Sequence, residues 1–338
     1  MLIIDGSYGE GGGQIVRSAL ALSLCYNMSV KIINIRAKKR KPGLSWQLLK
    51  AVKAAEKVGE TEAKGACHGS QTLIFNPKDL HGVEFHLDIG TAGSTILVLQ
   101  TILPALLLAD ELSTVTLTGG THVPLAPSFD YLQRVFLPIL SRMGAQVDAE
   151  LIQPGFISKG EGQMRVKINP VKKLKPLHID RRGEIQNISA TARVAGLPLH
   201  IAERELETIK KSLRVSEDAL TIEPLSSAYG PGNVVFVEIE SDEITELFTG
   251  YGEKHLRAEK VAQRIATEVK DYINADVPLG SHLTDQLLIP FTLAGGGSFV
   301  TQQLSSHTLT NMEVIRQFTG VEFKVEQISD RKFRVIIT

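Results

Sequence analysis

The chain has 338 residues, of which 43% are hydrophobic, so it can bury a large core, and its length predicts about two domains. Lysine plus arginine and aspartate plus glutamate both number 37, which excludes a global basic field and leaves local patches for any contact with nucleic acid. Cys25 and Cys67 cannot complete a tetrahedral zinc site by themselves, and no leader precedes the first predicted strand, so we expect a protein of the reducing cytoplasm.

The first predicted strand, 2–4, runs into a glycine-rich loop. Five of the eight residues 6–13 are glycine, and a helix is predicted immediately afterwards. Glycines let the backbone approach a phosphate closely, and the free N–H groups at a helix start favour its charge. Arg17 in the first turn would oppose the helix dipole unless an anion lay between, and Glu10 is a lone carboxylate that could hold a divalent cation on phosphates. The loop predicts an anion site, with close packing of a helix on a sheet as the alternative.

Two common nucleotide-binding loops do not fit this segment. A P-loop needs a lysine after its last glycine, but the first lysine of the chain is Lys31. A dinucleotide-binding fingerprint needs a third glycine where Gln14 stands and an acidic residue where Arg36 ends the next strand. We therefore expect a less common fold.

A basic run, Arg-Ala-Lys-Lys-Arg-Lys at 36–41, directly follows the second predicted strand, 30–35. Such a run is often only a solvated surface. Its position after the strand that follows the glycine loop favours a role in binding phosphates.

One succession of elements occurs three times: a loop with glycine, a very apolar helix, a strand, a polar loop, an amphipathic helix ending in glycine, and strands. The apolar helices are predicted at 14–24, 95–108 and 287–293. Although 96–109 is the longest apolar run, Gln100 and Pro104 interrupt it, so it predicts a buried helix and no membrane span.

Residues 181–277 lie between the second and third copies and are richer in Glu and Lys. We predict an α/β (α+β) fold with three repeated βαβαββ-type units around a pseudo-threefold axis and an inserted smaller α/β domain. Residues 1–180 and 278–338 would form the large catalytic domain, and 181–277 the insert. Packing around such an axis would gather the equivalent loops at one end. These loops are 36–47, 119–128 and 304–311.

Within the gathered loops, His307 is a candidate nucleophile, placed before a helix predicted to begin at Asn311. Asp285 would share its cleft if the third glycine loop returns there. A neutral imidazole is a competent nucleophile near pH 7, and a carboxylate can fix its tautomer. A surface or structural role is the alternative for any one of the nine histidines, and we assign it to His122. No Gly-x-Ser-x-Gly or His-Glu-x-x-His motif occurs, which argues against serine and zinc hydrolases.

Several long motifs follow one another over essentially the whole chain. They are Asp5-Gly-Ser-Tyr-Gly-Glu-Gly-Gly-Gly-Gln-Ile-Val-Arg-Ser-Ala-Leu, Ile35-Arg-Ala with Lys41-Pro-Gly-Leu, Gly90-Thr-Ala-Gly-Ser, Val98-Leu-Gln-Thr-Ile-Leu-Pro-Ala, Gly230-Pro-Gly-Asn, His282-Leu-Thr-Asp-Gln-Leu and His307-Thr-Leu-Thr-Asn. Together they resemble the RNA 3'-terminal phosphate cyclases. The resemblance implies ATP-dependent conversion of an RNA 3'-phosphate into a 2',3'-cyclic phosphodiester, through AMP on His307 and then on the RNA, with release of pyrophosphate and AMP.

The resemblance also implies roles for particular residues, with ATP as cosubstrate, Mg or Mn as the divalent cation and RNA as partner. The catalytic residues would be His307, Asp285 and Arg17, and the metal ligand would be Glu10. The nucleotide would be bound by Gln14, Gln100, Pro127, Ser281, His282, Leu283, Thr284 and Asp285. Arg36, Lys39, Arg40 and Gln47 would bind substrate phosphates. No membrane contact is expected, and a homo-oligomer stays open.

Two residues depart from the family pattern. Lys39 stands where a second arginine is expected, so bidentate phosphate binding is lost unless Arg40 substitutes. His282 stands where an aromatic residue is frequent, which would leave base stacking to an imidazole.

Two alternatives remain from the sequence. Non-catalytic relatives act in ribosome assembly but lack the nucleophilic histidine, so the presence of His307 with Glu10, Arg17 and Asp285 favours an enzyme. An enolpyruvyl transferase shares a repetition of βαβ units, but it would favour two similar domains over three units with an insert and would form no covalent nucleotide.

Overall fold

The computed structural model describes residues 1–157, 159–226, 228 and 230–338. The strands of these residues form four sheets, covered by helices, in a mixed α/β fold. Three of the sheets share one plan. In each of them two neighbouring strands at one edge are parallel, and the remaining neighbours pair antiparallel. The predicted fold class with its threefold repetition is confirmed.

The first unit holds the glycine-rich loop between its first strand and first helix. Its elements are β1 (Leu2–Asp5), α1 (Gly13–Cys25), β2 (Val30–Ile33), α2 (Trp46–Val58) and β3 (Leu73–Phe75). β1 runs parallel to β2, and β2 runs antiparallel to β3. A bridge from Lys64 to Ile74 stands where the other two units have a fourth strand.

The second unit has the full set of four strands in the order β4-β5-β7-β6. Its elements are β4 (Glu84–Asp88), α3 (Thr95–Leu106), β5 (Ser113–Gly119), α4 (Phe129–Tyr131), a π-helical turn (Leu132–Phe136), α5 (Leu137–Arg142), β6 (Gln146–Gln153) and β7 (Gly162–Asn169). The apolar run is buried in α3, as predicted, with Pro104 inside the helix. In the described part of the chain, no helix is both long and apolar enough to cross a membrane.

The extra segment follows β8 (Leu177–Ile179) and builds its own sheet. Its elements are β9 (Ile185–Ala195), α6 (His200–Leu213), a 3₁₀ turn (Glu217–Ala219), β10 (Leu220–Leu225), β11 (Gly232–Ser241), β12 (Thr245–Tyr251) and α7 (Ala258–Ala275). The strands lie in the order β10-β9-β11-β12. Alternate residues such as Ala192 and Val235 pack with Ile209 of α6 and Val269 of α7 in a separate hydrophobic core.

The third unit is completed after the extra segment. Its later elements are α8 (Ser281–Ala294), β13 (Gly297–Thr301), α9 (Ser306–Thr319), β14 (Phe323–Ser329) and β15 (Lys332–Ile337). β8 runs parallel to β13, with Leu177 opposite Gly297, and β15 lies antiparallel between β13 and β14. The extra segment therefore interrupts the third unit inside its parallel crossover. We predicted this segment to lie between the second and third units, because a strand of three residues, such as β8, is too short to be recognised as the first strand of a unit.

Two helices of the third unit begin earlier than predicted. α8 begins at Ser281 rather than 287, and α9 begins at Ser306 rather than at Asn311. The Ser305 side chain accepts a hydrogen bond from the Thr308 N–H at 3.1 Å, an N-cap that starts α9 one turn before its apolar residues. Thr284 bonds back to the Gly280 carbonyl oxygen within α8. His307 and Asp285 therefore stand on helices, whose rigidity fixes their positions.

A buried polar network ties the second unit to the extra sheet. His122 Nε2 lies 2.8 Å from Asp130 Oδ2, and Arg193 of β9 donates to Asp130 at 2.7 Å. Burial acts to raise the pKa of Asp130, but the hydrogen bond to His122 and the charge of Arg193 outweigh it and lower that pKa to about 2. His122 is therefore part of a buried network that connects the extra sheet to the second unit.

Candidate active site

A cleft of about 1070 Å³ opens where the three units meet the extra sheet. The predicted site residues that line it are Glu10, Gln14, Arg17, Gln100, Pro127, Ser281, His282, Asp285 and His307. They come from all three units. Of the three loops expected to gather, 119–128 and 304–311 contribute to the lining, whereas none of the described residues 36–47 does. β12 of the extra segment supplies a further wall, which includes Glu246 and Phe248.

A chain of hydrogen bonds links His307 to Asp285 through Gln14. His307 Nδ1 lies 2.7 Å from Gln14 Oε1, and Gln14 Nε2 donates to Asp285 Oδ1. Because an amide oxygen only accepts, Nδ1 must carry the imidazole proton, which leaves the lone pair on Nε2. Among the described residues, Nε2 receives no hydrogen bond, and the ring is half exposed. His307, which lines the cleft, is thus held as the tautomer with its lone pair on Nε2.

Asp285 is held by the helices around it. Asn311, one turn after His307 on α9, donates to both the backbone and side-chain oxygens of Asp285, at 3.1 and 3.3 Å. Ser18 of α1 in turn donates to Asn311 Oδ1 at 2.7 Å. Burial raises the pKa of Asp285, opposed by the hydrogen bond from Gln14 and the charges of His307 and Arg17. The carboxylate is a fixed acceptor that orients Gln14.

In the part of the chain that the structure describes, no side chain caps the N-termini of α1 and α8, two helices with residues in the cleft lining. α1 begins after Gly12 and α8 after Gly280, whereas Ser45, Ser94 and Ser305 cap α2, α3 and α9. The free N–H groups of an uncapped helix start suit an anionic ligand. The starts of α1 and α8 can each receive an anionic group of a ligand.

Arg17 adds a positive charge at the start of α1. Burial lowers its pKa to about 10, and the carboxylates of Asp285 and Glu10 oppose that shift. The guanidinium therefore stays charged near neutral pH. A β-carbon on Gly13 would lie 3.1 Å from Arg17 Nη1, so glycine at this position leaves room for the arginine.

Glu10 stands beside His307 with one oxygen unsatisfied. Its Oε1 forms an ion pair with Lys39 Nζ at 2.5 Å, and its backbone N–H donates to Thr310 Oγ1 at 3.1 Å. Its Oε2 is buried, has no hydrogen-bond partner among the described residues, and lies 4.0 Å from His307 Nδ1. A buried carboxylate oxygen without a hydrogen bond is costly, and it is the kind of ligand that Mg²⁺ or Mn²⁺ prefers.

The sequence matches one family along nearly its whole length. The family model described as RNA 3'-terminal phosphate cyclase matches residues 8–325. A protein named RNA 3'-terminal phosphate cyclase from Ectopseudomonas mendocina (strain ymp) is 46% identical over 332 residues, which cover 98% of this chain and 96% of that protein. The chain belongs to the RNA 3'-terminal phosphate cyclase family. A protein of the same name from Koribacter versatilis (strain Ellin345) is 42% identical over 327 residues, covering 97% of this chain and 92% of that protein.

In this member of the cyclase family, several predicted site residues do not line the cleft. Leu283 and Thr284 are buried on the inner face of α8, where Thr284 bonds to Thr301 at 2.8 Å. Lys39 reaches the site only through its ion pair with Glu10. The others outside the cleft lining are Arg36, Arg40 and Gln47, on the loop 36–45 and the first turn of α2.

Glu246 was not predicted as a residue of the site. Its Oε2 accepts the N–H of Gly280 at 2.9 Å, which fixes the start of α8. Burial raises its pKa to about 7, although the N–H groups of Gly280 and Leu247 act to lower it. The available signal was a carboxylate next to Leu247 and Phe248, but no sequence pattern placed β12 next to the third glycine loop.

Proposed function

We propose that this chain converts the 3'-terminal phosphate of an RNA into a 2',3'-cyclic phosphodiester at the expense of ATP. The observation that carries the proposal is His307, oriented by Gln14 and Asp285 in a cleft that Arg17 also lines. Its relatives of 42–46% identity over nearly the full length bear the name of that activity.

In the first step, the lone pair on His307 Nε2 attacks the α-phosphorus of ATP. A P–N bond forms, the bond from the α-phosphorus to the β-phosphate breaks, and pyrophosphate leaves. The positive charge that develops on the imidazole is stabilised through Nδ1–H and Gln14 by the Asp285 carboxylate. Arg17 and the free N–H groups of α1 bind the charge on the phosphates.

The divalent cation fits at Glu10. The unsatisfied Oε2 provides one anionic ligand, and no group of three or more His, Cys, Asp or Glu side chains in the described residues could hold an ion alone. One carboxylate combined with substrate phosphates is the usual way in which proteins bind Mg²⁺. When bound, the ion would neutralise phosphate charge, while Lys39 keeps Glu10 in place.

The two later steps use the AMP on His307. An oxygen of the RNA 3'-phosphate attacks the AMP phosphorus, the P–N bond breaks, and His307 returns to its neutral form. The ribose 2'-OH then attacks the RNA phosphorus, loses its proton, and expels AMP. A terminal phosphate lacks a good leaving group until AMP is attached, and the 2'-OH is already beside the phosphorus, so the last step has the advantage of an intramolecular reaction.

The adenosine of ATP would occupy the inner part of the cleft. Gln100, Pro127 and His282 line it, and Gln100 Nε2 is oriented by Gln286 Oε1 at 2.5 Å. β12 closes this part from the side of the extra segment. We propose accordingly that 1–180 and 278–338 form the catalytic domain and that the inserted domain, 181–277, walls the nucleotide pocket.

The proposal is tested with ATP labelled at the α-phosphate and an oligonucleotide that carries a 3'-phosphate. Label on the protein in the absence of RNA, with none from γ-labelled ATP, is the expected result. With RNA present, the 3' end should become resistant to phosphatase. A substrate with a 2'-deoxy terminal nucleotide should accumulate as the adenylate, because it lacks the attacking hydroxyl. A protein that binds RNA but takes up no label would instead be a non-catalytic relative.

Replacing Gly12 with alanine should weaken binding of the divalent cation without unfolding the protein. The new β-carbon would lie 2.0 Å from Glu10 Oε2, and because that side chain is flexible, the carboxylate moves while the backbone stays. The φ of −99° at Gly12 suits alanine. We expect the Mn²⁺ concentration that half-saturates self-adenylylation to rise by roughly tenfold. Glu10→Gln is the matched variant, and a larger loss in Gly12→Ala than in Glu10→Gln would contradict this explanation.

Neutralising the exposed cations of the basic loop should weaken RNA binding. Lys38 and Arg40 are exposed, whereas Lys39 is engaged with Glu10, so the double variant Lys38→Ala/Arg40→Ala separates the two roles. The slope of log affinity against log salt should flatten by about one unit for each RNA phosphate that the variant no longer neutralises. Lys172→Ala/Lys173→Ala, in another exposed basic stretch, is the control. Equal salt slopes in both double variants would mean that the loop is only solvated.

A further inference from the structure

The chain has one tryptophan, Trp46, and its side chain is 56% exposed. It stacks on His68, with ring centroids 4.4 Å apart and an angle of 20° between the planes. One face of the indole is therefore covered by an imidazole, while more than half of the side chain faces solvent. Neither residue has a role in the steps proposed above.

The first turn of α2 joins the Trp46–His68 pair to the start of α1, the helix that carries Arg17. Trp46 is the first residue of α2, and Leu48 in the same turn packs on Gly13 at the start of α1. A β-carbon on Gly13 would meet Leu48 Cδ2 at 3.0 Å and Arg17 Nη1 at 3.1 Å. The starts of α1 and α2 thus touch at the residue next to Arg17.

Backbone hydrogen bonds hold the pair in place. The Gly69 N–H donates to the Leu44 carbonyl at 2.8 Å, and the Leu44 N–H donates to the Ser70 carbonyl at 2.9 Å. Gly43 has φ of +80°, and a β-carbon there would lie 2.1 Å from the Gly69 oxygen. The two loops that carry Trp46 and His68 are therefore joined at a position that only glycine fits, so the aromatic surface is formed before any ligand binds.

The surroundings are cationic. The loop 36–41 lies between β2 and the Trp46 turn, and three of its cationic side chains are exposed: Lys38, Arg40 and Lys41. An exposed aromatic face next to cations that can follow a phosphate backbone is the combination that binds single-stranded nucleic acid, because every base has a face that stacks.

We propose that Trp46, supported by His68, stacks against a nucleobase of the RNA strand next to its 3'-terminal phosphate. The inference rests on the proposed function, which makes RNA the substrate. The terminal phosphate would lie at the Arg17 end of the cleft, and the strand would leave past Trp46 with its phosphates near the basic loop. Stacking needs no particular base, so the surface would position the strand without reading its sequence.

Fluorescence of the single tryptophan reports this contact directly. Titration with a 3'-phosphorylated oligonucleotide should quench this fluorescence. Because Trp46→Ala removes the stacking surface, it should raise the dissociation constant and the KM for RNA by roughly tenfold. Trp46→Phe should recover part of the loss, and Trp46→Leu, which keeps apolar area without a stacking face, should not. Labelling by ATP without RNA serves as the internal reference, and Lys172→Ala is the control variant.

An abasic scan locates the base. One abasic position near the 3' end should weaken binding about as much as Trp46→Ala, and combining it with Trp46→Ala should add nothing further. Additive effects at every position, or unchanged RNA affinity in Trp46→Ala, would overturn the inference. Absence of cyclisation by the wild-type protein would instead overturn the proposed function. The fluorescence titration would still decide whether the Trp46–His68 pair binds an RNA strand.

Discussion

His307→Asn should lose labelling by α-labelled ATP by a factor of at least about 10⁴, because an amide has no nucleophilic lone pair to replace that of imidazole Nε2. Cyclisation should be lost with it. A gel-based labelling assay and phosphatase resistance of the RNA end measure the two steps separately.

The fold should survive this substitution. The His307 side chain is half exposed, and the asparagine amide can still donate to Gln14 Oε1, so no buried acceptor is left unpaired. His81→Asn, at an exposed histidine paired with Asp110, is the matched control and should be labelled like the wild type. Normal labelling in His307→Asn, with an unchanged melting temperature, would remove His307 from the mechanism.

The repeated architecture could be predicted because each unit repeats the same local patterns. An apolar helix such as α1 is buried on nearly all sides, and helices of this kind have a composition that the sequence displays openly. β8 was missed for the opposite reason. A strand of three residues carries almost no periodicity, and its partner β13 comes only after the extra segment.

Nine of the predicted site residues line the cleft, but the hydrogen bonds that join Gln14 to His307 and Asp285 were not predicted. Glu10 and Asp285 stand out by residue type next to glycine loops, and His307 stands out in the polar loop 304–311; the structure gathers all three. Gln14 lies 293 residues from His307 and 271 from Asp285 along the chain, and no local pattern reports a hydrogen bond across such a separation. Pairing of Lys39 with Glu10 was missed likewise, because both residues were considered only as ligands of phosphate or metal.

Gln14→Leu should lower the rate of self-adenylylation by roughly 10²-fold to 10⁴-fold. Leucine fills similar space but neither accepts from His307 Nδ1 nor donates to Asp285, so the imidazole is free to rotate and to change tautomer. The pH dependence of adenylylation should change as well, because the proton on Nδ1 is no longer fixed. ¹⁵N chemical shifts of the labelled histidine ring should show a protonated Nδ1 in the wild type and mixed tautomers in Gln14→Leu.

Asp285→Asn separates orientation from charge. Asparagine can still accept from Gln14 Nε2, so the tautomer should persist in the ¹⁵N spectrum, while the negative charge that stabilises the imidazolium is lost. If orientation of the His307 ring accounts for most of the loss in Gln14→Leu, Asp285→Asn should retain much more adenylylation activity than Gln14→Leu. Equal losses would show that the Asp285 charge acts on the imidazole through the Gln14 amide. A wild-type spectrum with the proton on Nε2 would contradict the tautomer inferred from Gln14, and with it the nucleophilic nitrogen assigned to the first step.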